Sequence, residues 1–247
     1  MKKQIWWKEF FSDFRPVFDT IPARTTNADV RYIIRKLNLK AGSEFLDCPC
    51  GIGRISLPLA QKGVCVTGVD VTREYLEELS HTAIQKKLKI TLKHADMRKI
   101  TYRNRFDAAI NFGTSFGYFK KESDDLLTLK KAYQSLKPGG IFLLNTVNRD
   151  WILKYFDSRE WQKLDDILIL LYRTFDYSSS RMVAKWSFIQ DKDEKRYTTD
   201  LRMYSLHELL PMMKSAGFTE IEAFGSTKDD PVSVDSRLMY IFGKKGR

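Results

Sequence analysis

A carboxylate, a glycine turn and the start of a helix lie together in residues 45–54, FLDCPCGIGR. Asp47 would end a short apolar strand, and Gly51 and Gly53 would let the backbone turn close to a ligand, since glycine has no Cβ. A helix that starts at Arg54 presents unpaired N–H groups and a partial positive charge to an anionic ligand group. The combination suits a nucleotide-like cofactor. Two further acids stand where such a cofactor needs them. Asp70 closes the run VTGVD, where a carboxylate can accept both hydroxyls of a ribose above the glycine turn. Asp96, in ADMR, can accept from an adenine amino group while Met97 packs on the ring.

The turn almost fits the dinucleotide pattern G-x-G-x-x-G, but Ser56 stands at the third position, where Gly or Ala permits close packing of helix on strand. Asp47 also precedes the turn, where negative charge does not help a pyrophosphate. It suits the ammonium end of an amino acid better.

Regular alternation must hold these residues in place. The patterns predict strand 45–47, helix 54–61, strand 64–70, helix 73–87, strands 90–94 and 106–111, helix 124–136 and strand 141–146. Such β–α alternation predicts an α/β fold, a mostly parallel sheet covered by helices on both faces. Ligands bind outside the carboxyl ends of the strands of such a sheet, where Asp47, Asp70, Asp96, Asn111 and Thr146 all fall.

Before the sheet, residues 1–41 read as helical, with Trp6, Trp7, Phe10, Phe11, Phe14 and Phe18 at near-helical spacing, a pattern of packing against a core. After Val147 the rhythm changes. Segments 167–177, 181–190 and 195–204 read as strands of an antiparallel insert. Ser205 and Glu208 form a capping-box pattern that opens a helix through Ala216, which Gly217 closes. Strands 219–224 and 237–242 finish the chain. The expected organisation is a helical cap at 1–41, a cofactor-binding core at 42–147, an antiparallel lid over the acceptor at 148–204, and a C-terminal part at 205–247 that completes the core.

The 247 residues, 43% of them hydrophobic, suffice for a full core, and no apolar run is long enough to span a bilayer. The basic, aromatic start MKKQIWWKEFF is interrupted by Lys8, Glu9 and Asp13, which argues against a signal peptide. Cys48, Cys50 and Cys65 form no ligand spacing with the three histidines, so no metal is expected, and reduced, buried thiols in a cytoplasmic protein are the simpler reading. A formal charge of +11 raises RNA as a partner, although the basic residues are interleaved with acids along the chain.

At these residues the sequence resembles the class I S-adenosylmethionine-dependent methyltransferases. FLDCPCGIGR looks like their first motif, VTGVD carries the second-strand acid, ADM the third-strand acid, FDAAINFGTSFGYF the fourth-strand motif and LKPGGIFLL the turn into strand five. TSFGYF, NRDW, RMYSLHELLPMMKSAGF and the closing DSR resemble a bacterial and archaeal subgroup of small-molecule enzymes, some related to amino-sugar N-methyltransferases. Pro49 departs from the pattern, since many members carry glycine there. The resemblance implies a Rossmann-like seven-stranded, mostly parallel sheet with the antiparallel lid after strand five, and S-adenosylmethionine as cofactor. It implies that Asp47, Gly51, Gly53, Arg54, Asp70, Val71, Asp96, Met97 and Asn111 contact the cofactor. Asn111 and Tyr118 would border the methyl-transfer site, and Trp151, Arg202, Tyr204 and Arg237 would meet the acceptor. The expected reaction is methyl transfer to a small molecule, at nitrogen because no His–Asp pair suggests a general base. An RNA methyltransferase, or a cofactor-binding protein without turnover, is the alternative.

Overall fold

Strands whose alternate side chains are both apolar need cover on both faces, and the central strands here are of that kind. In the computed structural model, which describes residues 7–246, seven strands form one sheet in the order β10-β11-β5-β4-β1-β2-β3. They are β1 (Glu44–Asp47), β2 (Cys65–Asp70), β3 (Ile90–His94), β4 (Phe106–Asn111), β5 (Leu136–Val147), β10 (Thr219–Phe224) and β11 (Leu238–Lys244). All pairings are parallel except those of β11, which runs antiparallel to β5 and β10. Trp6, Lys2 and Lys3 lie outside the described residues.

Strand β1 shows how the sheet is buried. Phe45 and Leu46 point to opposite faces, and both are almost wholly buried. Phe45 joins Ile33, Leu59, Val66 and Ile110 under helices α2 (Ala23–Lys36) and α3 (Ser56–Gln61). Leu46 joins Phe106, Leu129, Phe142 and Met213 under α5 (Glu122–Ser135) and α7 (Leu206–Ala216). Helix α4 (Arg73–Gln85) follows β2 and packs Leu76 and Leu79 beside Cys50. The capping box of Ser205 and Glu208 and the left-handed Gly217, with φ 110°, bound α7.

Four antiparallel strands form a second sheet: β6 (Arg159–Leu164), β7 (Ile167–Asp176), β8 (Arg181–Gln190) and β9 (Asp193–Arg202). The sequence pattern missed β6, an edge strand, REWQKL, whose charged positions break the apolar alternation. It also missed α6 (Arg149–Lys154), which Asn148 caps by accepting from the Asp150 N–H at 3.0 Å. Helix α1 (Trp7–Asp19) bridges the two sheets. Phe10 packs on Ile169 and Phe188 of the second sheet, while Arg15 donates to both Glu78 carboxylate oxygens on α4, at 2.6 and 2.7 Å.

Cys48 and Cys50 are buried, as expected, but Cys65, the first residue of β2, is exposed. Among the described residues no helix is long and apolar enough to cross a membrane, and no cluster suited to a metal ion occurs.

Candidate active site

Because β1, β2 and β4 are parallel neighbours, their carboxyl ends open on one side, and a cavity of about 680 Å³ lies there. Its floor holds Asp47, Pro49, Gly51, Arg54, Asp70, Val71, Asp96 and Met97. The loop 112–119 after β4 forms one wall, with Phe116, Tyr118 and Phe119. Aromatic residues of α1 and the inward side chains of the second sheet, among them Ile169, Arg173 and Trp186, close the other side.

Asp47 is 2% exposed, and the hydroxyl of the fully buried Ser56 donates to its Oδ2 at 2.7 Å. Ser56, at the position a dinucleotide turn gives to a small residue, thus fixes the Asp47 carboxyl. The signal in the sequence was only that a hydroxyl stood where Gly or Ala was expected. Burial pushes the Asp47 carboxyl up to about 7, opposed by the Ser56 hydrogen bond and reinforced by nearby Asp70. The sign follows from linkage. A raised carboxyl contributes stability below its unfolded value near 4, and that contribution is lost as pH rises through about 7. A cation placed against Asp47 reverses the preference and draws off the proton, so its affinity rises with pH through the same window.

Asp70 ends β2 and is 6% exposed. The Gly51 N–H donates to its Oδ2 and the Thr72 N–H to its Oδ1, each at 2.8 Å. One carboxylate therefore ties the glycine turn to the start of α4. Burial raises its pKa in spite of these donors. Asp96 also lines the cavity, but Arg98 takes both its oxygens, at 2.6 Å to Oδ2 and 2.8 Å from the backbone N–H to Oδ1. Burial alone would raise the Asp96 pKa, and the Arg98 hydrogen bonds more than offset it, so that it lies below the usual range.

Several predicted contacts require correction. Gly53 does not line the cavity; a Cβ there would lie 2.2 Å from Leu79 Cδ1, so its place is in packing the turn against α4, at φ 84°. Asn111 is buried on the other side of the floor, where its Nδ2 donates to the Met97 sulfur at 3.6 Å and it borders a small space beside Leu46 and Ala109. It does not line the large cavity. Arg202 and Tyr204 do not share a strand face, because β9 ends at Arg202 and the chain then turns into α7. The Arg202 guanidinium donates to Glu208 at 2.6 Å and to the Ser179 carbonyl, and the Tyr204 hydroxyl donates to buried Asp125 at 2.9 Å. Neither reaches the cavity; instead the Arg202 N–H donates to the Gly117 carbonyl at 2.8 Å and steadies the loop that carries Tyr118.

The aromatic run of α1, read from spacing as core packing, serves two surfaces: Phe11 stacks on Tyr118 at 6.1 Å, and Phe10, Phe11, Phe14 and Phe18 line the cavity. Burial pushes the Tyr118 phenol up to about 12, which keeps it neutral near pH 7.

The floor suits a ligand with a cationic amino acid end and a ribose, and the fold has a known counterpart. Residues 45–140 match the family described as a methyltransferase domain. The chain is 28% identical over 224 residues to a glycine/sarcosine N-methyltransferase of Aphanothece halophytica, covering 83% of this chain and 79% of that one. It is 32% identical over 146 residues to a ubiquinone biosynthesis O-methyltransferase of Haemophilus ducreyi, covering 58% and 59%. An S-adenosylmethionine-dependent methyltransferase from Clostridium acetobutylicum superposes with a TM-score of 0.81 at 16% identity, covering 97% of this chain and 98% of that one, a likeness of fold. Residues 45–140 are thus a methyltransferase domain, set in a chain with the fold of an S-adenosylmethionine-dependent methyltransferase.

In this methyltransferase Arg54 lines the cavity, yet its guanidinium is held by Asp29 of α2 at 2.7 Å. Trp151 and Arg237 line it beyond the ends of β5 and β11, with the Arg237 guanidinium 5.5 Å from the Trp151 ring centre. Two cavity residues absent from the sequence-based set are Arg173 and Glu160, which pair at 2.7 Å across β7 and β6. Their strands could be placed side by side only once β6 was known.

Proposed function

We propose that this methyltransferase carries a methyl group from S-adenosylmethionine to a small molecule at nitrogen, with the acceptor held between the parallel sheet and the second sheet. The observation that supports the reading most is that one cavity joins buried carboxylates to aromatic walls. Asp47 and Asp70 line it at the carboxyl ends of β1 and β2, and Tyr118, Trp151, Trp186 and the aromatic residues of α1 line it as well.

When bound, S-adenosylmethionine supplies an electrophilic methyl group on a sulfonium and leaves as a thioether. Asp47 holds the ammonium end, and Asp70 accepts from the ribose hydroxyls with the lone pairs that Gly51 and Thr72 leave unused. Val71, Asp96 and Met97 border the adenine. Tyr118 offers a neutral aromatic face near the transfer position, where a ring attracts a cation. In-line transfer asks the protein mainly to align the two partners and exclude water. Helix α1 and the second sheet supply the cover, so 148–204 acts as a lid.

Among the described residues no histidine lines the cavity. A hydroxyl acceptor needs a general base as its bond to the methyl forms, whereas a neutral amine attacks with its own lone pair and loses a proton afterwards. The basic charge of +11 favours RNA as an alternative acceptor, but the roof of α1 and the second sheet better fits a small molecule than a polymer. Incubation with methyl-labelled S-adenosylmethionine and fractionated cell extract tests this. Label is expected in a small-molecule amine; label recovered in RNA would contradict the proposal.

A further inference from the structure

The cavity holds three arginines, and their charges are not equivalent. Arg54 pairs with Asp29 at 2.7 Å, and Arg173 pairs with Glu160 at 2.7 Å. Arg237, exposed at the mouth, makes no ion pair among the described residues and rests on the Trp151 ring, 5.5 Å from its centre. Charged side chains at a surface usually find solvent and nothing more, so the question is whether this one is built into place.

Its backbone is. Arg237 immediately precedes β11, whose Leu238 stands opposite Val147 at the end of β5. The Arg237 carbonyl accepts from the Asn148 N–H at 3.0 Å, and the side-chain amide of Asn148, 2% exposed, donates to the Ser233 and Ser236 carbonyls at 2.9 and 3.0 Å. A buried asparagine therefore clamps the loop that carries Arg237 to the residue that caps α6, and α6 carries Trp151. The arginine and the ring it stacks on are fixed by the same residue. A planar guanidinium lying on an aromatic face keeps its edge donors free for a two-oxygen partner.

Building on the proposed transfer to a small molecule, we propose that Arg237 binds a single carboxylate on the acceptor, and that the acceptor has a planar apolar body held among the aromatic walls. The charge count favours a monoanion. With Arg54 paired to Asp29 and Arg173 to Glu160, Arg237 is the cavity arginine that makes no ion pair among the described residues, and Asp157 lines the same cavity. A phosphate ester with two negative charges would meet Asp157 with a single arginine to offset it. Arg237 is a specificity residue in this scheme; it takes no part in bond making.

The test uses the full chain saturated with S-adenosylhomocysteine and a matched series of probes: 4-aminophenylacetate, 4-aminophenylacetamide and 4-aminophenyl phosphate, titrated by calorimetry. The acid is expected to bind at least about tenfold more tightly than the amide or the phosphate. Arg237→Met is expected to weaken the acid by on the order of 30-fold and the amide hardly at all, and Arg237→Lys to recover part of the loss. Thermal stability and affinity for S-adenosylhomocysteine should stay unchanged in both variants, since Arg237 is exposed and precedes β11, which β5 and β4 separate from the strands that end in Asp47 and Asp70. Absence of acid binding, equal affinity for acid and amide, preference for the phosphate, or an acid affinity that Arg237→Met leaves intact would each overturn the proposal. Failure of S-adenosylhomocysteine to bind would instead overturn the functional reading beneath it.

Discussion

Replacing Asp70 by alanine is expected to weaken S-adenosylmethionine binding by about 100-fold, the equivalent of two charge-assisted hydrogen bonds lost in a buried site. The carboxylate has two duties. It faces the cavity where a ribose would lie, and its two oxygens take the Gly51 and Thr72 N–H groups at 2.8 Å each. Alanine leaves both backbone donors without their partner and unties the glycine turn from α4. Asparagine is expected to be little better, because its NH₂ must face one of those N–H groups. Calorimetric titration of Asp70→Ala and Asp70→Asn decides the matter. A loss of less than fivefold in both variants would mean that the cofactor is held without this carboxylate.

Gly117→Ala is expected to lower the melting temperature by roughly 10 °C, from a cost of about 3 kcal/mol at a few degrees per kcal/mol in a chain of this size. Gly117 has φ 88°, and a Cβ there would stand 2.1 Å from the Arg202 carbonyl oxygen, a backbone atom that cannot swing aside. The Arg202 N–H donates to the Gly117 carbonyl at 2.8 Å, so the loop and the end of β9 are already in close register. The same substitution should cut methyl transfer, since Tyr118 is the next residue and faces the cavity. Gly113→Ala is the control. It has a similar φ of 81° with nothing within 4 Å of the added carbon, so only the local backbone cost applies, about 1 kcal/mol. Equal melting temperatures for the two variants would show that the Gly117–Arg202 approach is not tight in solution.

What could be read from the sequence was what local pattern controls. Strand ends follow from apolar runs that stop at an acid, so the pattern alone puts Asp47 and Asp70 at the carboxyl ends of β1 and β2, where they line the cavity. The boundary from a βα rhythm to antiparallel strands was visible in the alternation of Ala184, Trp186 and Phe188 with Lys185 and Ser187. The misplacements share a cause. Arg202 and Tyr204 carry chemistry suited to an anion, but Glu208 and Asp125, which engage them, are brought there by α7 and α5. No spacing rule reveals partners set by tertiary packing. Asn111 is a similar case: its strand ends at the site, while its side chain turns under Met97. The Ser56–Asp47 hydrogen bond spans nine residues and depends on the turn between them. In α1, periodicity identifies an aromatic stripe of which Phe10 is buried against the second sheet, but cannot tell that part of what the stripe faces is a cavity.

The most direct test of the whole reading is calorimetric titration of the wild-type protein with S-adenosylmethionine and with NAD, at pH 8 and at pH 6. One molecule of S-adenosylmethionine per chain is expected to bind, about tenfold more weakly at pH 6 than at pH 8, because Asp47, whose carboxyl is raised to about 7, must give up its proton to receive the ammonium. NAD is expected not to bind at either pH. Binding of NAD without binding of S-adenosylmethionine would contradict it.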